Sequence, residues 1–431
     1  MSTPKHWDTG YEFKAVILLT LGFGLVGLDR MILPPLFPTM MGDLKLDYQD
    51  LGNLVGILGV AWGVSAMVVG NLSDRLGRRK VLVPAVLGFS LLSALSGMAT
   101  GLVSLLLIRA IMGAAEGAVA STGVAVAVEA SHPKRRGMNN GLFQCGFALF
   151  GLAIAPIVAT QLLEVTSWRN VFLIVGIPGI LVAILMWFTV REPLTIAATN
   201  AKQGEKRAPL SEMFKHRNVL LAMITLLCAM TGVFVMAALM PNYLVDYLKL
   251  TGPQMGYVTS AIGFGGFLGQ FGVPTLSDFI GRRLAIVLSF VLAAIFLYFF
   301  IQADATNLTT LFVLLFFAAL FNFGALAITA GPLAAEAAPV GLIASVAGLV
   351  IGIGEIFGGG VAPVIAGGIA KNYGIQYTLV FALCGQLAGL LISLFLRETA
   401  PRRAKASKMG EVSSLDKLEE AHPEGVTTGS R

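Results

Sequence analysis

Apolar residues come in runs of about twenty along nearly the whole chain, separated by short polar turns. An α-helix rising 1.5 Å per residue needs about that length to cross the ~30 Å hydrocarbon core of a bilayer. The pattern predicts twelve such helices, at about 15–38, 51–71, 81–100, 102–129, 138–161, 170–190, 218–244, 255–276, 284–302, 308–332, 341–368 and 375–396. The long polar stretch from Arg191 to Arg217 separates the sixth from the seventh. The expected class is therefore all-α: a polytopic membrane protein of twelve transmembrane helices in two pseudo-symmetric six-helix bundles. The expected segments are an N-terminal tail (1–14), a first bundle (15–190), a central loop (191–217), a second bundle (218–396) and a charged, Ser-rich tail (397–431) without stable structure.

Composition agrees. The 431 residues are 56% hydrophobic and only 13% charged, whereas soluble proteins carry about 25% charged residues. The net charge of +6 is spread between apolar segments, which argues against nucleic-acid binding. The basic residues instead set an orientation. Only Lys45, Arg169, Lys249 and Lys371 fall in the odd-to-even connections, while 24 of the 30 Lys and Arg lie in the termini and the even-to-odd loops. By the positive-inside rule both termini and the central loop are cytoplasmic. The opening MSTPKHWDTGYEFK is polar, has no small-residue cleavage site and reads as a cytoplasmic tail, not a signal peptide. Cys145, Cys228 and Cys384 all sit in apolar segments and are expected to be buried small hydrophobes.

The two halves repeat. Asp74-Arg75-Leu76-Gly77-Arg78-Arg79 follows the second helix and Asp278-Phe279-Ile280-Gly281-Arg282-Arg283 follows the eighth. Glu129 and Pro133 close the fourth helix as Glu336 and Pro339 close the tenth. A duplicated six-helix unit of parallel topology places a binding site at the bundle interface near mid-membrane. The acids at the helix ends facing loop arginines (Asp74, Arg75, Gly77, Arg78, Arg79, Glu129 and Arg136; Asp278, Gly281, Arg282, Arg283 and Glu336) read as breakable latches for conformational switching.

Four charges interrupt the apolar runs: Asp29 and Arg30 in the first helix, Arg109 and Glu116 in the fourth. Each costs ~2.5–3.5 kcal/mol at the bilayer centre, so such residues mark substrate or proton pathways. Arg109 and Glu116 are two helical turns apart, ~10.5 Å along the axis and on one face, with Asp29 or water available to bridge them. Arg30 is the candidate anion ligand, because a guanidinium stays charged and grips a carboxylate in two prongs. The alternative is a structural counter-ion to Asp29 or Glu116. Glu116 and then Asp29 are the candidate proton carriers. Glu355 in the eleventh helix is a titrating site, a substrate-hydroxyl acceptor or a structural acid.

Gly70-Asn-Leu-Ser-Asp74-Arg-Leu-Gly77-Arg78-Arg79-Lys80, with its weaker copy in the 8–9 loop, resembles the cytoplasmic loop signature of the major facilitator superfamily over essentially the whole chain. Leu28-Asp29-Arg30, with Arg109-x-x-x-Gly113-x-x-Glu116-Gly117, resembles that superfamily's anion:cation symporter branch. The resemblance implies alternating-access transport of sugar acids or other carboxylates with protons. It implies Arg30 on the substrate carboxylate, Asp29 and Glu116 carrying protons, Arg109 supporting them, and latches that hold the outward-open state. That branch is expected to carry an Asn in the Gly-rich eleventh helix, where this chain has Glu355.

Gln144, Gln270, Asn322, Tyr243 and Tyr247 are polar candidates for finishing the pocket, and Trp62 and Phe323 for stacking on a flat substrate. The expectation is proton-coupled uptake of a small organic carboxylate, aromatic or short aliphatic more than sugar acid. The chain is expected to act as a monomer in a bacterial inner membrane, with protons as the coupling ion and no cofactor or metal. The rival is a proton-coupled drug or metabolite exporter. Its fifth-helix signature is missing, since the chain offers Ala155-Pro156-Ile-Val there. A uniporter and a membrane receptor are the remaining alternatives. No nucleotide loop, metal cluster or nucleophile triad points to an enzyme or an ATP-driven pump. Asn307-Leu-Thr is a glycosylation pattern on a far-side loop.

Overall fold

The computed structural model describes residues 7–132, 135–191, 210–339 and 343–400. Among them are twelve long helical rods: α1 (Thr9–Leu44), α2 (Tyr48–Leu76), α3 (Arg78–Ser96), α4 (Leu102–Ala130), α5 (136–163), α6 (Trp168–Thr189), α7 (Arg217–Tyr247), α8 (Gly252–Ile280), α9 (Arg282–Gln302), α10 (Leu308–Ala337), α11 (343–373) and α12 (Gln376–Ser393). Eleven are long and apolar enough to cross a membrane; the exception, α8, is 29 residues long but rich in glycine and hydroxyl residues. Much of the expected central loop and C-terminal tail, the side chains of Asp74 and Arg75, and Pro133 lie outside the described residues.

Each half packs in the same way. α2 lies on α4, α3 on both α4 and α6, and α1 on α5; α8 lies on α10, α9 on both α10 and α12, and α7 on α11. The repeat extends to single bonds. Arg78 donates to Ser73 Oγ at 2.7 Å and pairs with Glu129 at 2.8 Å. Arg282 donates to Ser277 Oγ at 2.6 Å and pairs with Glu336 at 3.0 Å and Asp278 at 2.6 Å. Arg79 donates to the Trp187 carbonyl as Arg283 donates to that of Leu394. Between the helices of each motif the chain turns on one residue, Gly77 (φ 107°) or Gly281 (φ 101°). That left-handed backbone is strained for any residue with a Cβ.

The charged ends departed from expectation in instructive ways. Arg136 is exposed, and its neighbour Arg135 makes the ion pair instead, to Glu12 at 2.7 Å. Glu12 also accepts from Trp7 Nε1, the His132 amide and Asn139 Nδ2, so α1 begins several residues before its apolar run and is clamped to the α4–α5 turn. Glu398, just past α12, accepts from the amides of Arg282 and Arg283 at the start of α9. Cys384 is exposed, unlike the buried Cys145 and Cys228, because its face of α12 points out of the bundle. Asn307 caps α10, accepting from the amides of Thr309 and Thr310.

The bundles meet through α1 and α2 against α7 and α11, and through α5 against α8. At the end opposite the termini the contacts are close and polar. Lys371 pairs with Asp47 at 2.7 Å, Tyr48 Oη donates to Asp246 at 2.9 Å, and Gln49 donates to the Val364 carbonyl at 3.1 Å. A Cβ on Gly59 of α2 would lie 2.6 Å from the Gly359 carbonyl oxygen, and one on Gly263 of α8 only 1.9 Å from the Ala153 amide nitrogen. Only glycine permits these approaches. On the terminal side, Cys145 Sγ of α5 donates to Gln270 Oε1 of α8 at 3.6 Å. The conformer is closed at the far end.

Partial burial pushes the Asp47 carboxyl up, but Lys371 and the Asp50 amide outweigh it and hold the group below its ordinary 3.8. The pair therefore contributes fully above that pH and is lost as pH falls through the lowered value. Lys371→Gln is expected to raise the far-end-open population only slightly, since a solvent-exposed ion pair is screened and contributes little. Labelling of a Val55→Cys reporter by an impermeant maleimide reads this; an unchanged rate would remove the pair from the closure.

Candidate substrate and proton site

The charged cluster sits where α1 breaks. Pro34 and Pro35 follow Asp29 and Arg30, and neither can return a hydrogen bond to the preceding turn, so α1 bends at Ile32. Wide π-helical turns face this break from both bundles. They span Phe147–Ile154 in α5 and Gly354–Val361 in α11, and each is followed by a proline two residues on, Pro156 and Pro363. The duplication thus repeats the distortion, and such turns concentrate at functional sites. α11 carries Glu355 on its wide turn; α5 carries Phe147.

Arg30 Nη2 lies 2.5 Å from Glu355 Oε1, with both side chains 3% exposed. The pair joins α1 of one bundle to α11 of the other. The contact is single-pronged and off the N–H direction, and Nε is also without a hydrogen-bond partner. Three aromatic rings surround the guanidinium: Phe234 at 4.4 Å, Trp62 at 5.8 Å and Phe147 at 5.9 Å to the ring centroids. Such stacking stabilises a desolvated Arg by ~0.5–2 kcal/mol per ring.

Asp29 points the other way, into its own bundle, where Oδ1 accepts from Ser93 Oγ of α3 at 2.9 Å. Arg109 Nη1 donates to the Asp29 main-chain oxygen at 3.3 Å, so it grips α1 through the backbone and not through the carboxylate. Glu116 is wholly buried and neither of its oxygens is hydrogen-bonded. Gly113 and Gly117 on the same face of α4 lie against the Leu58 and Trp62 carbonyls of α2, which brings Glu116 up to the cluster. Its charge interacts with those of Arg30, Arg109 and Glu355.

A small cavity of about 10 Å³ remains, lined by Arg30 and Arg109 and otherwise by Met31, Leu33, Pro34, Leu54, Val55, Leu58, Phe234 and Ala238. That is room for about one water molecule. The structure thus gathers Asp29, Arg30, Arg109, Glu116 and Glu355. It does not bring Tyr243 or Asn322 to them. Tyr243 stacks on Tyr247 at 5.2 Å and packs near Phe300, and Asn322 is buried against Gly232 of α7 inside the second bundle. Gln144 is half-buried on α5, one residue before the Cys145–Gln270 contact. Sequence reasoning named Phe234 nowhere; it is one of many apolar residues on α7, and only the fold picks it out.

The family model of the Major Facilitator Superfamily matches residues 19–274 and 222–423. A probable 4-methylmuconolactone transporter of Cupriavidus pinatubonensis is 29% identical over 71% of this chain and 72% of its own length. A hexuronate transporter of Bacillus subtilis is 29% identical over 63% of this chain and 65% of its own length. In fold, the chain is similar to an inward-facing, unoccupied bacterial homolog of the human lysosomal transporter Spinster, with a TM-score of 0.69 and 17% identity over 90% of this chain and 98% of that one. With its twelve rods, doubled loop motif and these matches, the chain is a multi-pass membrane transporter, not an enzyme, and belongs to the major facilitator superfamily.

Proposed function

We propose that this carrier couples uptake of a small organic carboxylate with a flat, apolar body to protons, in a bacterial inner membrane with both termini cytoplasmic. The observation that carries the reading is the cavity lining: two guanidinium groups set in an otherwise apolar wall. Arg30 supplies the charge for a carboxylate, and Phe234 and Trp62 supply faces for a ring. A sugar acid needs side-chain partners for its hydroxyls, and buried hydroxyls without partners are costly. An exported organic cation would meet two like charges.

Glu116 takes the coupling proton in this mechanism, with Asp29 as a second site. A buried carboxylate without hydrogen bonds is tolerated only while nearby cations balance it or a proton neutralises it. A substrate anion that draws on the Arg30 charge removes part of that balance. Anion and proton then favour each other's binding, and the coupling is reciprocal.

The test uses proteoliposomes loaded with a pH dye. Benzoate and ring-substituted benzoates are expected to drive proton entry, hexuronates much less, and neither through Arg30→Ala. Organic cations driving proton exit would establish the exporter instead, and hexuronates outrunning benzoates would return the substrate to the sugar acids.

A further inference from the structure

Glu355 stands where a substrate anion has to go. It holds the Nη2 face of Arg30 in a conformer whose cavity admits about one water. Room is made for it in the helix: a Cβ on Gly359 would lie 2.9 Å from Glu355 Oε1 and 3.2 Å from the Phe234 ring. The carboxylate is therefore seated on its own wide turn, against the same ring that stacks on Arg30.

We infer that Glu355 is a built-in stand-in for the substrate: it occupies Arg30 in the empty carrier and gives way to the incoming anion only by taking a proton. This rests on the carboxylate-carrier reading above. The balance of charge carries the inference. In the empty carrier the Arg30 cation is neutralised by Glu355. In the loaded carrier it is neutralised by the substrate carboxylate, while a proton from solvent sits on a Glu355 oxygen. On release the anion leaves, the proton departs to solvent, and Glu355 returns to Arg30. Both states keep one anion on one buried cation. The state between them, a protonated Glu355 with no substrate, takes from Arg30 its ion-pair partner and is scarce, because breaking a buried pair is strongly destabilising. A carrier of this kind recycles empty without leaking protons.

The stand-in is also the weaker ligand. Its Oε1 lies 2.5 Å from Arg30 Nη2 without an aligned hydrogen bond. A free carboxylate can turn to make two parallel bonds. The groups facing Glu355 are few: Arg30 from α1 and Glu116 from α4, with Phe234 and Met230 on α7 and Gly59 and Trp62 on α2 offering no titratable group at this depth among the described residues.

The experiment measures benzoate binding to the purified full-length protein in weak buffer, recording affinity against pH and protons taken up per anion. Glu355→Asn is the first variant, since it removes the charge and shortens the side chain away from Arg30; Glu355→Gln is the second, should the first not fold. Both are expected to bind benzoate at least about tenfold more tightly at pH 8, with a flatter pH dependence and about one proton fewer per anion. A variant that melts lower but keeps the wild-type affinity and proton count would make Glu355 a packing residue and overturn the inference. So would a wild type that binds benzoate through Arg30 with neither proton uptake nor pH dependence, a result that also removes Glu116 as a proton carrier; the carboxylate as substrate survives both results. A wild type that binds neither benzoate nor hexuronate removes that reading itself.

Discussion

Arg30→Gln is expected to abolish carboxylate-driven proton entry and to destabilise the protein by about 3–5 kcal/mol, the usual cost of stranding one partner of a buried ion pair. Glu355 would be left 3% exposed with its cation gone. The double variant Arg30→Gln/Glu355→Gln removes both charges and is expected to recover most of that stability and none of the transport. Melting in detergent and uptake in proteoliposomes separate the two effects. A double variant as unstable as the single one would mean that Arg30 is held chiefly by its aromatic neighbours, Phe234, Trp62 and Phe147. A double variant that transports would remove Arg30 from the substrate seat.

Gly263→Val is the second large effect. Even the first carbon of a side chain there meets the Ala153 backbone. Backbone cannot step aside as a flexible side chain can, and overpacking costs about 1–3 kcal/mol, roughly 5- to 150-fold in the closed population. The variant is expected to fold and to lose net transport, with the Val55→Cys reporter labelled faster. The clash lies between bundles, so each bundle keeps its own packing. Unchanged labelling together with lost transport would instead indicate damage within α8.

The fold was legible because a run of apolar residues long enough to span a bilayer has few other uses. The charged cluster was legible for the complementary reason: Asp29, Arg30, Arg109 and Glu116 have no cheap place in such runs. Which acid meets which base was not legible. Arg30 and Glu355 lie on the first and eleventh helices, and no local spacing links them. The neighbours Asp29 and Arg30 proved to face different partners, Ser93 and Glu355. Glu12 and Glu398 were missed because polar residues beside a terminus look like solvated tail until the fold buries or caps with them. Cys384 was misread because a membrane helix is apolar toward lipid and toward protein alike, so hydrophobicity does not tell inside from outside. The α5 and α11 wide turns leave only a proline and clustered glycines as their trace.

The glycine-rich make-up of α8 bears on how the chain is built into the membrane. Its helix is long enough to span but less apolar than the other eleven rods. What α8 lacks in side-chain hydrophobicity it recovers in contact, by lying against α10 and α5. During synthesis α8 precedes α10, so for a time it has only earlier helices to shelter it. Its insertion is therefore expected to lean on its neighbours more than that of the other rods, since the glycines that admit close helix contacts leave it little apolar side-chain surface of its own.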